Sequence, residues 1–208
     1  MKSVLISIQP KWVEKIASGK KTVEVRKTAP KLEPPFKCYI YATRPKKWFR
    51  FSSWGKASDE SLWLSNGKVE MCDGFKFWAD ETEYELLNGK VIGEFVCDKI
   101  FDICIEISKQ DDLPGYPFPC TGLTDKEILQ YLGNGKTGYG WHISDLVIYD
   151  KPKPLSDFKL PCKCIGVYEG ETYCDCLNCE DAGDSDYGVI ACDRTLKRPP
   201  QSWCYVEG

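Results

Sequence analysis

Lys21, Glu24 and Arg26 fall within the stretch Ser18-Gly-Lys-Lys-Thr-Val-Glu-Val-Arg-Lys27, and their types and spacing suit contacts to a phosphate or a base edge. Thr22 to Arg26 alternates polar and apolar residues, the pattern of a half-buried strand. Glu24 and Arg26 then share a face with Thr22, while Val23 and Val25 turn to a core. A carboxylate two positions from a guanidinium can pair with it and hold it ready for an anion or a planar edge. Lys20 and Lys21 stand where a helix must give way to that strand, so their flexible ammonium groups can follow a phosphate backbone. By strict alternation Lys21 has the parity of Val23, and it joins Glu24 and Arg26 only if the strand begins after it. The competing reading is an ion pair that merely ties the sheet together.

Two further groups of residues point to stacking. Gly138-Tyr-Gly-Trp-His142 holds Trp141 beside His142, the single histidine of the chain. Aromatic faces suit a single-stranded base, and histidine alone titrates ordinarily near neutrality. The alternative is a core tryptophan, with His142 satisfying a backbone carbonyl. The second group interleaves Arg44, Lys46, Lys47 and Arg50 with Trp48, Phe49, Phe51 and Trp54, a mixture that can bind single strands or fold as a hairpin over a core. One histidine without spatial information identifies no Ser or Cys nucleophile pair. The sequence has no glycine-rich phosphate loop.

Charge is distributed unevenly. The net charge is −3, yet residues 1–56 carry 14 Lys/Arg against Glu14, Glu24 and Glu33, a balance of +11. A basic first quarter on an acidic chain is either a footprint for a polyanion or a solvated surface balanced by acidic neighbours. Seven of the twelve cysteines lie between Cys162 and Cys204. Zinc takes four ligands in a tetrahedron, and Cys176 and Cys179 have the spacing of a zinc knuckle. Cys192 and Cys204 follow at suitable distances, with Cys174 as a substitute, so one structural Zn2+ is expected. A tail of 48 residues with few aliphatics needs such a staple. The scattered Cys38, Cys72, Cys97, Cys104 and Cys120 read as small apolar side chains in a reduced compartment.

The elements that must position these residues follow from local signals. Val4–Ile8 predicts a strand, and Pro10 opens a helix whose face is Trp12, Val13, Ile16 and Ala17, with Gly19 as its stop. After the Thr22–Arg26 strand, Lys37–Thr43 is a third. Residues 44–89 read as an insertion, with turns at Asn66-Gly67, Asp73-Gly74 and Asn88-Gly89. Val91–Ile103 is the strongest strand run. Leu123–Leu132 predicts a helix capped by Thr124 with Glu127 three positions on. Gly138–His142 and Leu146–Tyr149 read as strands closed by Lys151-Pro-Lys-Pro154, and Cys162 and Cys164 fall to a last barrel strand. The expected fold is α+β, a small mixed barrel over residues 1–160 followed by a cysteine-rich tail over 161–208. No run is long and apolar enough to cross a membrane. The opening MKSVLISIQPKW is too interrupted for a secretory signal, so a cytoplasmic protein is expected.

The Ser18–Lys27 motif after a short helix resembles the signature of the ASCH domain. The resemblance continues through Tyr39–Thr43, Gly89–Glu94 and Trp141-His142, spanning residues 1–160 with 44–89 as an insertion. It implies a PUA-like barrel and a nucleic-acid binder. The ligand would be RNA, another single strand or a modified nucleobase, held by Lys20, Lys21, Glu24, Arg26, Arg44, Trp141 and His142. A subset of related proteins are amidohydrolases on acetylated cytidine, using a lysine and a threonine near this motif. Lys21 matches the lysine, but Glu24 stands where the threonine would. An amidohydrolase or nuclease working through Lys21 and Glu24 is therefore the second reading. A protein-interaction adaptor is the third.

Overall fold

The computed structural model describes residues 2–44, 48–52, 68–72, 84–104, 119–161, 165–168, 171–174 and 194–207. Alternation in the first strand sorts its side chains between two cores. In β1 (Lys2–Ile8), Val4, Ile6 and Ile8 enter the barrel interior, while Leu5 turns to a second apolar cluster on the outer face. Helix α1 (Pro10–Ala17) starts on its proline and buries Pro10, Val13, Ile16 and Ala17. It ends where Gly19 takes φ +72°, a conformation costly for other residues. Strand β2 (Val23–Arg26) follows, then β3 (Phe36–Ala42).

Strands β4 (Trp48–Ser52), β5 (Lys68–Cys72) and β6 (Tyr84–Leu86) form their own antiparallel sheet, in the order β5-β4-β6. They occupy the segment read as an insertion. The Asn88-Gly89 turn is present, with Gly89 at φ +85°. The Asn66-Gly67 and Asp73-Gly74 turns lie outside the described residues.

The run from Val91 is not one strand but two. β7 (Val91–Cys97) and β8 (Ile100–Cys104) lie in different sheets. Helix α2 (Asp125–Leu132) has the expected cap: the Thr124 hydroxyl accepts from the Glu127 amide, and the Glu127 carboxylate accepts from the Thr124 amide. Strands β9 (Thr137–His142) and β10 (Ser144–Lys153) then run on, β10 passing through the lysine–proline stretch expected to close it. The hairpin of β11 (Ile165–Tyr168) and β12 (Glu171–Cys174) stands as a separate pair, and β13 (Trp203–Glu207) ends the chain.

Two sheets make the barrel. One has the order β10-β7-β3-β1-β13, with β1 and β3 parallel; the other is β2-β9-β8. β1 leads into β2, β2 into β3, β7 into β8 and β9 into β10, so the chain passes between the two sheets four times. The amide of Ile143, between β9 and β10, bonds back to the Thr22 carbonyl at 2.8 Å. The fold is α+β, as expected. β13, within the segment read as a tail, pairs with β1, Leu5 opposite Cys204, so the last strand belongs to the larger sheet. Val206 and Leu196 are buried in the outer cluster, which is what draws the end of the chain back.

The Gly-Tyr-Gly-Trp pattern has a packing reason. Gly138 and Gly140 leave room on the outer face of β9 for Leu132 and Phe101, against which an added Cβ would clash. Val25, Ile103, Ile128 and Leu132 form the small core beneath α2. The same alternation sends Trp141 inward.

Candidate functional site

The turn between α1 and β2 decides where the motif side chains go. The Lys21 amide bonds to the Lys15 carbonyl and the Thr22 amide to the Cys120 carbonyl, both at 2.9 Å. The strand thus begins at Val23, and Lys21 is free of its alternation. Its side chain folds inward until it is 2% exposed. Nζ lies 2.7 Å from the Val23 carbonyl, 2.6 Å from the Thr121 carbonyl and 3.3 Å from Glu24 Oε2. Of the ammonium's three N–H groups two are given to these carbonyls, and the charge faces Glu24 Oε2 as an ion pair without a hydrogen bond between them. Burial pulls the Lys21 pKa below the ordinary lysine value, although Glu24 opposes the shift.

Glu24 is the hinge of the group. Its Oε1 lies 2.9 Å from Arg26 Nη2, and that nitrogen also donates to the Ser7 carbonyl at 2.8 Å. Arg26 Nη1 makes two long contacts of 3.4 Å, to the carbonyl and hydroxyl of Ser202. Two buried polar atoms of the pair have no hydrogen-bond partner, Glu24 Oε2 and Arg26 Nε. A buried acceptor and a buried donor left in this state are costly unless something meets them.

A cavity of about 710 Å³ adjoins this trio. Lys21, Glu24 and Arg26 are on its wall, with Trp12 from α1 and Tyr131 from α2. The amides of Gln130 and Gln201 add polar groups. Each ring carries lysine. Lys11 and Lys15 lie 4.3 and 4.9 Å from the Trp12 ring centroid, and Lys27 lies 5.1 Å from that of Tyr131. Such spacing is within cation–π range. Ser202, on the strap leading into β13, completes the wall. The chemistry on offer is two aromatic faces, the carboxylates of Glu24 and Glu127, and one guanidinium donor.

The structure brings Lys21, Glu24 and Arg26 together and leaves the other candidates apart. Lys20 is exposed on the turn and off the wall. Arg44 is exposed, with its guanidinium across Gly89. Trp141 is fully buried, not a stacking platform: it packs against Phe36 and Trp203 with centroids 6.0 and 5.9 Å away. It stands opposite Glu24 in the β2–β9 register, so both point inward, but the indole lies within the core. His142 is on the other face of β9, its Nδ1 2.6 Å from Asp98 Oδ1 on the surface. That contact holds the Asp98 carboxyl below its ordinary pKa.

Trp12 and Tyr131 were not anticipated as site residues. A signal existed for Trp12: Lys11 and Lys15 at positions −1 and +3 surround it on a helix. In the aromatic–basic stretch, Trp48 to Phe51 form most of β4, while Lys46, Lys47 and Trp54 lie outside the described residues. Among the tail cysteines, Cys174 ends β12 and Cys176, Cys179 and Cys192 lie outside the described residues. Cys204 is half-buried against the outer apolar cluster, and burial pushes its thiol up to about 11.

The family model for the ASCH domain matches residues 6–95, a span holding β1, α1 and the whole Lys21–Arg26 motif. Over this span, less than half of the chain, the sequence is similar to the ASCH family. Among solved structures it is similar to the ASCH protein of Zymomonas mobilis, at 19% identity and a TM-score of 0.43, covering 74% of this chain and 73% of that one. It is also similar to a tyrosine-to-phenylalanine variant of that protein, at 18% identity and a TM-score of 0.43, covering 74% and 77% of the two chains. No protein of curated function matches the sequence.

Proposed function

We propose that the chain binds RNA or another single-stranded nucleic acid by seating one base, ordinary or modified, in the cavity between Trp12 and Tyr131. The observation that carries this reading is the pairing of aromatic walls with Arg26 Nε, which has no hydrogen-bond partner, and Glu24 Oε2, which has only its ion-pair contact to Lys21. A nucleobase has the matching anatomy, an apolar face and an edge of donors and acceptors. The cavity volume is in the range of sites that enclose small organic ligands.

Binding is favoured over hydrolysis by the state of Lys21. A lysine bonded to two carbonyls and ion-paired to a carboxylate is a positioning group for Glu24 rather than a reactive amine. The motif also lacks the threonine hydroxyl of the amidohydrolase pattern.

Trp12→Ala should weaken binding of a labelled, mixed-sequence oligonucleotide by about 5- to 100-fold, the value of one stacked base. Fluorescence anisotropy at low salt reads this directly. Binding indifferent to Trp12→Ala would reject the cavity. Turnover of acetylcytidine by the native protein, abolished in Lys21→Met, would establish the enzyme instead.

We further propose that the tail binds one structural zinc through Cys174, Cys176, Cys179 and Cys192, in a reducing, cytoplasmic setting. Spacing supports the set, and Cys174 takes the place first given to Cys204, whose sulfur sits among apolar side chains. Elemental analysis should find one zinc per chain, lost in Cys179→Ser and kept in Cys204→Ser. Loss in Cys204→Ser with retention in Cys174→Ser would reverse the choice.

A further inference from the structure

We propose, resting on the base-binding reading, that the ligand is an internal nucleotide of a strand, with its flanking phosphates held by lysines on two separate elements. Lys11 and Lys15 of α1 would take one phosphate, and Lys27, just past β2, the other.

The distribution of free positive charge points this way. Deep in the cavity the cations are already committed: Lys21 and Arg26 share the carboxylate of Glu24 and donate to backbone carbonyls. A phosphate buried there would compete with those contacts. At the rim the situation is different. Lys11 and Lys27 are exposed, and each ammonium is anchored over a ring that lines the cavity, Trp12 and Tyr131 respectively. Lys15 is half-buried over the same Trp12 ring, with one N–H given to the Gly122 carbonyl at 2.9 Å. Lysines on a surface are commonplace; lysines fixed to both aromatic walls of one cavity are not explained by solvation.

The nearby carboxylate, Glu127 of α2, does not cancel this charge entirely. Lys11 and Lys15 act on it, but its Oε2 is engaged by both the amide and the hydroxyl of Thr124 in the helix cap. Lys11 lines the cavity together with Glu127, while Lys15 and Lys27 stand behind the rings of Trp12 and Tyr131. A base between the two rings carries a phosphate on each side of its sugar, so a strand entering at one ring and leaving at the other meets cations at both ends. A free nucleoside would meet neither group, and a mononucleotide only one.

The test compares three sets of probes on the full chain: the four nucleosides, their 5′-monophosphates, and the four homotrinucleotides. At low salt the best trinucleotide should bind roughly tenfold or more tighter than its nucleoside. Its affinity should fall with salt, and Lys27→Ala and a Lys11→Ala/Lys15→Ala double variant should each flatten that dependence by about 0.7 in log–log slope. Both variants should leave nucleoside affinity unchanged.

A nucleoside that binds as tightly as its trinucleotide would overturn the inference while leaving base binding intact. Lysine variants that weaken nucleoside and trinucleotide alike would overturn it too. No binding of any probe, with Trp12→Ala silent on longer oligonucleotides, would remove the base-binding reading beneath it.

Discussion

Glu24→Gln should cost about 3–5 kcal/mol of folding stability, the usual penalty for removing one partner of a buried ion pair. Lys21 and Arg26 are 2% and 7% exposed, and Glu24 is the carboxylate that both contact. Without it two cations remain inside the protein with only carbonyl oxygens and the Ser202 hydroxyl to face. Glutamine has nearly the same shape, so the loss measures charge rather than packing. Glu24 is also what supports the Lys21 proton against burial, and its removal would push the lysine pKa lower still. Urea denaturation should show the midpoint falling with an unchanged slope. Adding Lys21→Met to Glu24→Gln should recover part of the loss, because it removes one stranded cation. A loss under about 1 kcal/mol would mean that the trio is solvated in the manner of a surface pair. The site would then lack the preorganisation that makes a guanidinium ready for a base edge.

The same trio shows which parts of the molecule local sequence could reveal. The Glu24–Arg26 alternation, the Pro10 start and the Thr124–Glu127 cap were readable because each depends on neighbours within four residues. The partition of Val91–Ile103 was not, since one apolar run serves equally as one long strand or as two shorter ones meeting at Asp98-Lys99. Nor could the sequence show that β13 pairs with β1 across about 200 residues, with Leu5 facing Cys204. Pairing of that range is decided by which apolar faces remain uncovered after the local elements have formed. Cys204 shows the same limit: its spacing from Cys192 was legible, but not that its strand packs with Val206 and Leu196 in the outer cluster.

The cavity has the same non-local origin. Trp12 was legible as a helix-face residue, and in the structure it is half-buried, with its ring on the cavity wall. Tyr131 belongs to a helix about 120 residues away, and Ser202 to a strap that precedes the last strand. The ASCH match over residues 6–95 supplies the buried trio and one aromatic wall. The second wall and the strap come from outside that span.

Trp141→Ala should also cost about 3–5 kcal/mol, and for a reason opposite to a binding role. The side chain is fully buried, meeting Phe36 edge-on and Trp203 at a tilt, in the cluster that fills the barrel. Truncation would leave a void lined by several strands, which the barrel cannot close without moving β9 and hence β2 opposite it. Trp141→Phe should be much milder, about 1–2 kcal/mol. It keeps most of the apolar volume and removes an indole N–H that has no partner. The two variants separate fold from function. Trp141→Phe, folded by circular dichroism, should retain native affinity for the labelled oligonucleotide, whereas Trp12→Ala should lose it at little cost in stability. If Trp141→Phe were stable but bound poorly, the indole would have to reach the ligand, and the cavity floor would lie deeper than Glu24 and Arg26.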